Sequence, residues 1–411
     1  MKIKRTIIFA PETFNLAETT RSIEVAKKCS HVFNCIFIGY SNKYSYLIEE
    51  SNFTFLHLKP HLNERQITQL MNVDQMKGFK HPFTYEHIQE RVKNEKKIIE
   101  KYHPIAIVIG TTLSMFISSR ASRIPLVYIK PLAYTRPYFL QGDLLLPFSS
   151  FHIVHKIIKK AVQSIALHIT YKPKAFSKVA KEEGVELPKY TIDALDGDYN
   201  LITTISEISE IHHVPTNYHY VGPVYAKLDA PIPSFIKKLP KDRPILYFAM
   251  GSSGSPAMIV KILNILNQLP VTVICPMKRI VESQYNNLSF NDHIILCDFL
   301  PAHKMNDLID LSIIHGGEGT VQTACLSGKP FIGFGLQQEQ RVNINECVRF
   351  GNAVALRKKD LTKARISDYI KKVLASKEMH KKALEMQRTL MNVDGPKNAA
   401  QFLIETFATA K

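Results

Sequence analysis

The stretch Ile313-Ile314-His315-Gly316-Gly317-Glu318-Gly319-Thr320 joins an apolar run, an imidazole and a glycine-rich turn. A buried strand feeding such a turn at the start of a helix lets backbone approach a ligand closely and presents unpaired N–H groups to it. The helix dipole adds about 0.3–2 kcal/mol toward a nearby anion. A diphosphate suits this arrangement, and His315 at the strand end can donate to the same phosphates. A second loop, Phe248–Ser255, carries Gly251, Ser252 and Ser253, small residues also suited to phosphate. It matches neither the GxGxxG pattern nor the P-loop, which weakens dinucleotide and Walker-type readings. A third stretch, Gln337–Asn343, includes Glu339 and Gln340. Amides and a carboxylate match the donors and acceptors of sugar hydroxyls. Singly, the three also read as a tight turn, a small-residue loop and a polar helix start. Together they place phosphate binders and a sugar reader on successive strand ends.

The elements that must position them alternate along the chain. Thr6–Ala10, Asn34–Tyr40, Phe53–Leu58, Ile105–Gly110 and Pro125–Lys130 read as strands, with helices over Ala17–Cys29 and Tyr85–Tyr102. A proline-rich, charged break runs from Val221 to Pro244, and the alternation then restarts. Strands follow at Pro244–Ala249, Val271–Cys275, His293–Cys297, Leu311–His315 and Pro330–Phe334, with helices at Ala257–Asn267, Met305–Leu308 and Gly319–Ser327. This pattern predicts an α/β chain of two Rossmann-like, doubly wound domains facing across a cleft. The expected bounds are 1–222 for the first domain, 223–243 for a linker, 244–394 for the second domain, and 395–411 for a last helix packing back on the first.

With 411 residues the chain suits two domains. No apolar run reaches the roughly 18 residues of a membrane span, and Thr6–Ala10 reads as a strand rather than part of a signal peptide. The six cysteines are scattered without metal-ligand spacing, which fits free thiols in a reducing, cytoplasmic setting. The net charge of +17 would attract anionic substrate or anionic lipid. Nucleic acid is not expected, because no recognition module is present. The segment Phe148–Lys172 spaces Ile153, Ile157, Ala161, Ile165 and Ile169 four apart beside Lys156, Lys159 and Lys160. It reads either as a helix packed on its own domain or as a peripheral contact with a membrane face.

From about Thr191 onward the chain resembles the inverting nucleotide-sugar glycosyltransferases of the UDP-glycosyltransferase and macrolide-glycosyltransferase type, which have the GT-B fold. The stretches GDYNLITT, HYVGPV, ILYFAMGSSG, FLPAHKM, IIHGGEGTVQTACLSGKPFIGF, EQRVN and FGNAVAL carry the likeness. The resemblance implies transfer of a sugar from a UDP- or dTDP-sugar to a small-molecule, lipid or anionic acceptor, with the nucleotide sugar as co-substrate and no metal or other cofactor. His315, Gly316, Gly317, Glu318, Gly319 and Thr320 would hold the diphosphate, with Gly251, Ser252 and Ser253 facing it. Phe299 and Leu300 would lie near the base, and Glu339 and Gln340 would read the sugar. Thr323 stands where a ribose-binding glutamate is usual.

The resembled family places a catalytic histidine after its first strand, oriented by an aspartate after the strand Ile105–Gly110. Here Asn15 takes the histidine's place, and Thr111-Thr112 the aspartate's. An amide cannot accept a proton near pH 7. Glu12 is the first candidate for a replacement base and Glu18 the second. The remaining choices are an acceptor that brings its own nucleophile, or a non-catalytic sugar-nucleotide-binding protein of the same fold. An epimerase is weaker still, since no acid–base carboxylates are identified beside the donor loops. The acceptor loops would be Glu12–Asn15, Thr111–Met115 and Leu132–Gln141, with Thr111, Tyr134, Arg136 and Tyr138 as candidate contacts. Asp196-Gly197-Asp198 has the form of a metal-binding motif but reads as a turn.

Overall fold

The computed structural model describes residues 4–74, 78, 81–142, 152–225, 230–251, 254–283, 289–298 and 300–408, with backbone alone at 74 and 152–156. The chain forms two compact units, Met1–Ala226 with Asp394–Lys411, and Lys227–Val393.

In the first unit seven strands form one parallel sheet: β1 (Thr6–Ala10), β2 (Asn34–Gly39), β3 (Thr54–His57), β4 (Ala106–Ile109), β5 (Leu126–Lys130), β6 (Tyr199–Ile202) and β7 (Tyr218–Tyr220). Their order is β3-β2-β1-β4-β5-β6-β7. The central strands are apolar on both faces because helices cover both. Ile8 and Ala10 face Ile88 and Val92 of the helix Tyr85–Tyr102. Ile7 and Phe9 face the other way, toward Ile23 and Ala26 of the helix Leu16–Cys29. The last helix, Gly395–Phe407, packs on Leu16–Cys29 through Ala399, Leu403 and Phe407. It is tied to the sheet edge by Asn398 Nδ2, which donates to the Val221 carbonyl at 2.9 Å.

The second unit has six parallel strands: β8 (Ile245–Ala249), β9 (Thr272–Cys275), β10 (Ile294–Leu296), β11 (Leu311–Ile314), β12 (Phe331–Gly333) and β13 (Ala353–Ala355). The order is β10-β9-β8-β11-β12-β13. Leu246 and Phe248 pack toward Ile259, Leu263 and Ile370. Tyr247 and Ala249 pack on the opposite face with Met305 and Ile236. Ile236 comes from the proline-rich break, so the part of that stretch beyond residue 229 is built into this unit.

In each sheet the chain order reverses beside the first strand, between β1 and β4 and between β8 and β11. Loops leaving such a switch point diverge and leave a crevice at the strands' carboxyl ends, where ligands of doubly wound sheets sit. Glu12 and Thr111 leave one switch point, and Gly251 and His315 the other.

Candidate functional site

In the second unit the β8 and β11 ends are locked together by the His315 N–H, which donates to the Ala249 carbonyl at 3.2 Å. The imidazole is 8% exposed, and its Nδ1 is buried without a hydrogen-bond partner. Burial lowers its pKa to about 4, so the ring is neutral at physiological pH. Two glycines flank it. A Cβ on Gly251 would come within 2.6 Å of the ring, and one on Gly317 within 2.5 Å. Gly251 also has φ +54°, which disfavours any side chain. The glycines are therefore the condition for a histidine at this strand end.

The helix Glu318–Leu326 starts directly after Gly317, which supplies no side-chain cap. Of the other switch-point helices, Met115–Ala121 after β4 likewise has no side-chain cap, and two do have one. Asn15 Oδ1 accepts from Ala17 N (3.0 Å) and Glu18 N (3.4 Å) at the start of Leu16–Cys29. Ser255 Oγ accepts from Met258 N at 3.3 Å at the start of Pro256–Leu266. A helix start without a side-chain cap leaves first-turn amides for an external anion. Thr320 Oγ1 donates to the Gly317 carbonyl at 2.7 Å and closes that turn. Gly316 accepts from Asn343 Nδ2 at 3.1 Å, and Glu318 and Gly319 lie half-buried in the same turn. The expected diphosphate ligands are thus gathered at one point, except Ser252 and Ser253, which lie outside the described residues, as does Phe299.

Several residues of this unit are engaged within the protein itself. Gln340 is 2% exposed. Its Oε1 accepts from Leu336 N (2.9 Å) and Gln337 N (3.2 Å), and its Nε2 donates to Gln337 Oε1. It closes a capping box on the helix Gln338–Phe350 and so shapes this loop. Glu339 stays half-buried at the loop edge, accepting from Asn343 Nδ2 at 2.5 Å. Leu300 is a core residue packed with Tyr247 and Cys297. Thr323 spends its hydroxyl on the Gly319 carbonyl at 2.8 Å.

The first unit's switch point is built from charge pairs. Glu12 is 3% exposed, and its Oε1 pairs with Arg91 Nη1 at 3.2 Å. The guanidinium is fully buried over the rings of Tyr40 (3.7 Å) and Phe83 (4.3 Å). Burial pushes the Glu12 pKa up, Arg91 opposes it, and Glu18 and Glu95 add to the rise. Glu95 accepts from Tyr40 Oη and Ser114 Oγ, each at 2.5 Å, and from Ser118. Glu18 accepts from Thr111 Oγ1 (2.5 Å), Thr111 N (2.9 Å) and Glu12 N (3.2 Å). Glu18 thereby stitches the β1 loop to the β4 loop where the sequence offered no aspartate.

Arg91 and Glu95 were not apparent as site residues. The signal for them was their register: they fall on the Ile88, Val92, Ile99 stripe of an otherwise surface-charged helix. Asn15 is a helix cap. Of the acceptor candidates, Thr111 is engaged by Glu18, Arg136 pairs with Asp193 and Tyr134 is half-buried. Tyr138 is 2% exposed and packs inside rather than lining an open surface. Asp196 accepts from Lys130 Nζ (2.7 Å) and Tyr218 Oη (2.6 Å), and Asp198 from Leu126 N (2.7 Å). Both carboxylates of that turn are structural.

Residues 261–406 match the family described as erythromycin biosynthesis protein CIII-like, C-terminal domain. A PGL/p-HBAD biosynthesis glycosyltransferase of Mycobacterium tuberculosis is 28% identical over 320 residues, covering 75% of this chain and 71% of that protein. A PGL/p-HBAD biosynthesis rhamnosyltransferase of Mycobacterium bovis is 25% identical over 305 residues, covering 73% and 66%. The structure of the glycosyltransferase VinC in complex with dTDP superposes with a TM-score of 0.69 at 14% identity, over 98% of this chain and 100% of that one. The chain has the GT-B fold of these glycosyltransferase structures. In this chain the β11 end combines a buried neutral histidine with a helix start that has no side-chain cap. The β1 end, where such a fold would carry a base, holds its carboxylates in protein–protein bonds.

Proposed function

We propose that the transferase moves a hexosyl group, with inversion, from a UDP- or dTDP-sugar bound at His315–Thr320 to an acceptor bound by the first unit. The observation that carries this reading is the buried His315 imidazole, its Nδ1 without a partner, wedged between Gly251 and Gly317 beside a helix start with no side-chain cap. Neutral N–H donors and a helix dipole stabilise the leaving diphosphate as charge develops on it, and they need no divalent ion to do so. The dTDP held by VinC and the rhamnosyltransferase relative support a nucleoside-diphosphate donor.

The base is where this reading departs from the expectation for Glu12. A general base contributes about 10²–10⁴-fold, but Glu12 is shielded and paired, Asn15 is a cap and Glu18 is spent on Thr111. The acceptor therefore supplies a nucleophile that ionises readily, such as a carboxylate or phosphate, and the net charge of +17 favours such an anion.

The test is nucleoside-diphosphate release from a panel of UDP- and dTDP-sugars, with chelator present, using acceptors of graded acidity. Faster transfer to more acidic acceptors, and a Glu12→Gln rate within about tenfold of wild type, support the reading. A loss of about 10²-fold or more in Glu12→Gln at unchanged donor affinity would restore Glu12 as the base.

A further inference from the structure

The helix His152–His168 turns an apolar stripe outward. Ile157 is 65% exposed and Ile165 66%, with exposed Ala161 between them. At four-residue spacing these side chains share one face of the helix. The stripe continues past the helix end through Ile169 (43%) and Tyr171 (68%). The opposite face is the anchored one: Gln163 is buried and its Nε2 donates to the Gly142 carbonyl at 3.1 Å. Leu140, 48% exposed, lies on the neighbouring helix Arg136–Gln141.

Along the chain, the charge in and beside this stripe has one sign. From residue 144 to residue 181 every charged residue is a lysine, with no aspartate or glutamate. Lys160 is exposed on the helix, and Lys174, Lys178 and Lys181 are exposed on the segment that follows. A water-exposed stripe of isoleucines costs the free protein hydration free energy unless something covers it. A lysine on the same helix, such as Lys160, can lay its stem along the apolar surface and send its charge to a lipid headgroup layer. No helix among the described residues is long and apolar enough to cross a membrane, so the helix lies on a surface rather than spanning one.

We infer that the helix His152–His168 and the segment through Tyr171 form a membrane-docking surface. It seats Ile157, Ile165 and Tyr171 in the headgroup boundary of a bilayer rich in anionic lipid, with the lysines neutralising the lipid charge. This inference rests on the first unit's surface alone and stands whether or not the reading of the catalytic step does.

The experiment is co-sedimentation of the full chain with phosphatidylcholine vesicles, with and without added phosphatidylglycerol, at low and high salt. Wild type is expected to pellet with the phosphatidylglycerol vesicles, less so at high salt and weakly with phosphatidylcholine alone. Ile157→Glu with Ile165→Glu should lower that partitioning roughly tenfold or more, and Lys160→Gln by roughly threefold. The melting temperatures should stay unchanged, because these side chains contribute little to the folded core. Absence of wild-type binding to phosphatidylglycerol vesicles would overturn the inference. So would binding that survives the double substitution. So would a concentration-dependent dimer that the double substitution dissolves, which would mean that a second copy covers the stripe.

Discussion

The two switch points are built from the same strand order and filled in opposite ways. Between β1 and β4, Glu12, Glu18 and Glu95 each accept from protein donors and Arg91 is stacked between two rings, while Glu12 Oε2 and Arg91 Nε and Nη2 stay buried without a hydrogen-bond partner. Between β8 and β11 there is one polar ring with an unpartnered nitrogen, flanking glycines and a helix start without a side-chain cap. A switch point in a doubly wound sheet is thus only an opportunity for binding. Residue chemistry decides whether the crevice is closed with internal pairs or left for a ligand.

The comparison breaks most visibly at Arg91. Removing one member of a buried pair leaves an uncompensated charge, at about 3–5 kcal/mol. Arg91→Ala should lose that much stability in urea unfolding while donor affinity per folded molecule stays constant. A matching fall in donor affinity would mean that the two switch points are coupled.

On the other side, His315→Ala should cost about 10²–10³-fold in turnover with little loss of stability. The relevant measurement is kcat/KM alongside a melting curve. If both fall together, the ring is a packing element and the contrast drawn here fails.

Acidification sharpens the same contrast with a smaller effect. The His315 pKa is lowered from 6.5 to about 4 in the fold. A depressed folded value means that the unfolded chain takes up the proton first. The stability is therefore complete above pH 6.5 and is lost as pH falls through about 4. The loss should be on the order of 3 kcal/mol, with His81 and His87, also lowered to about 4, adding in the same direction. His315→Asn should flatten its share of the curve in urea titrations at stepped pH.

The smallest effect is expected at Asn15. As a cap, Asn15→Ala should cost about 1 kcal/mol of stability and leave kcat/KM within about twofold. A loss of turnover without loss of stability would place Asn15 at the reacting atoms instead.

The alternation of apolar runs with helical periodicity revealed both sheets, since strands buried on both faces are continuous hydrophobic segments. Short edge strands escaped: Tyr218–Tyr220 and Ala353–Ala355 are three residues each, too brief for a period. The glycines around His315 were legible because close backbone approach excludes other residue types. The Glu12–Arg91 pair was not, because its members lie 79 residues apart and burial is a property of the assembled sheet. The capping role of Gln340 was hidden for a related reason. An amide suited to a sugar hydroxyl suits a capping box equally well, and only the loop geometry separates the two.

The most direct test of the account is a calorimetric titration of UDP and of dTDP into wild type, His315→Ala and Glu12→Gln, in the presence of chelator. One of the two nucleotides should bind wild type and the folded Glu12→Gln variant with similar affinity. It should bind His315→Ala at least roughly tenfold more weakly, as expected for the loss of one donor to a charged group. Equal affinity in wild type and His315→Ala would contradict the placement of the donor diphosphate at the β11 end.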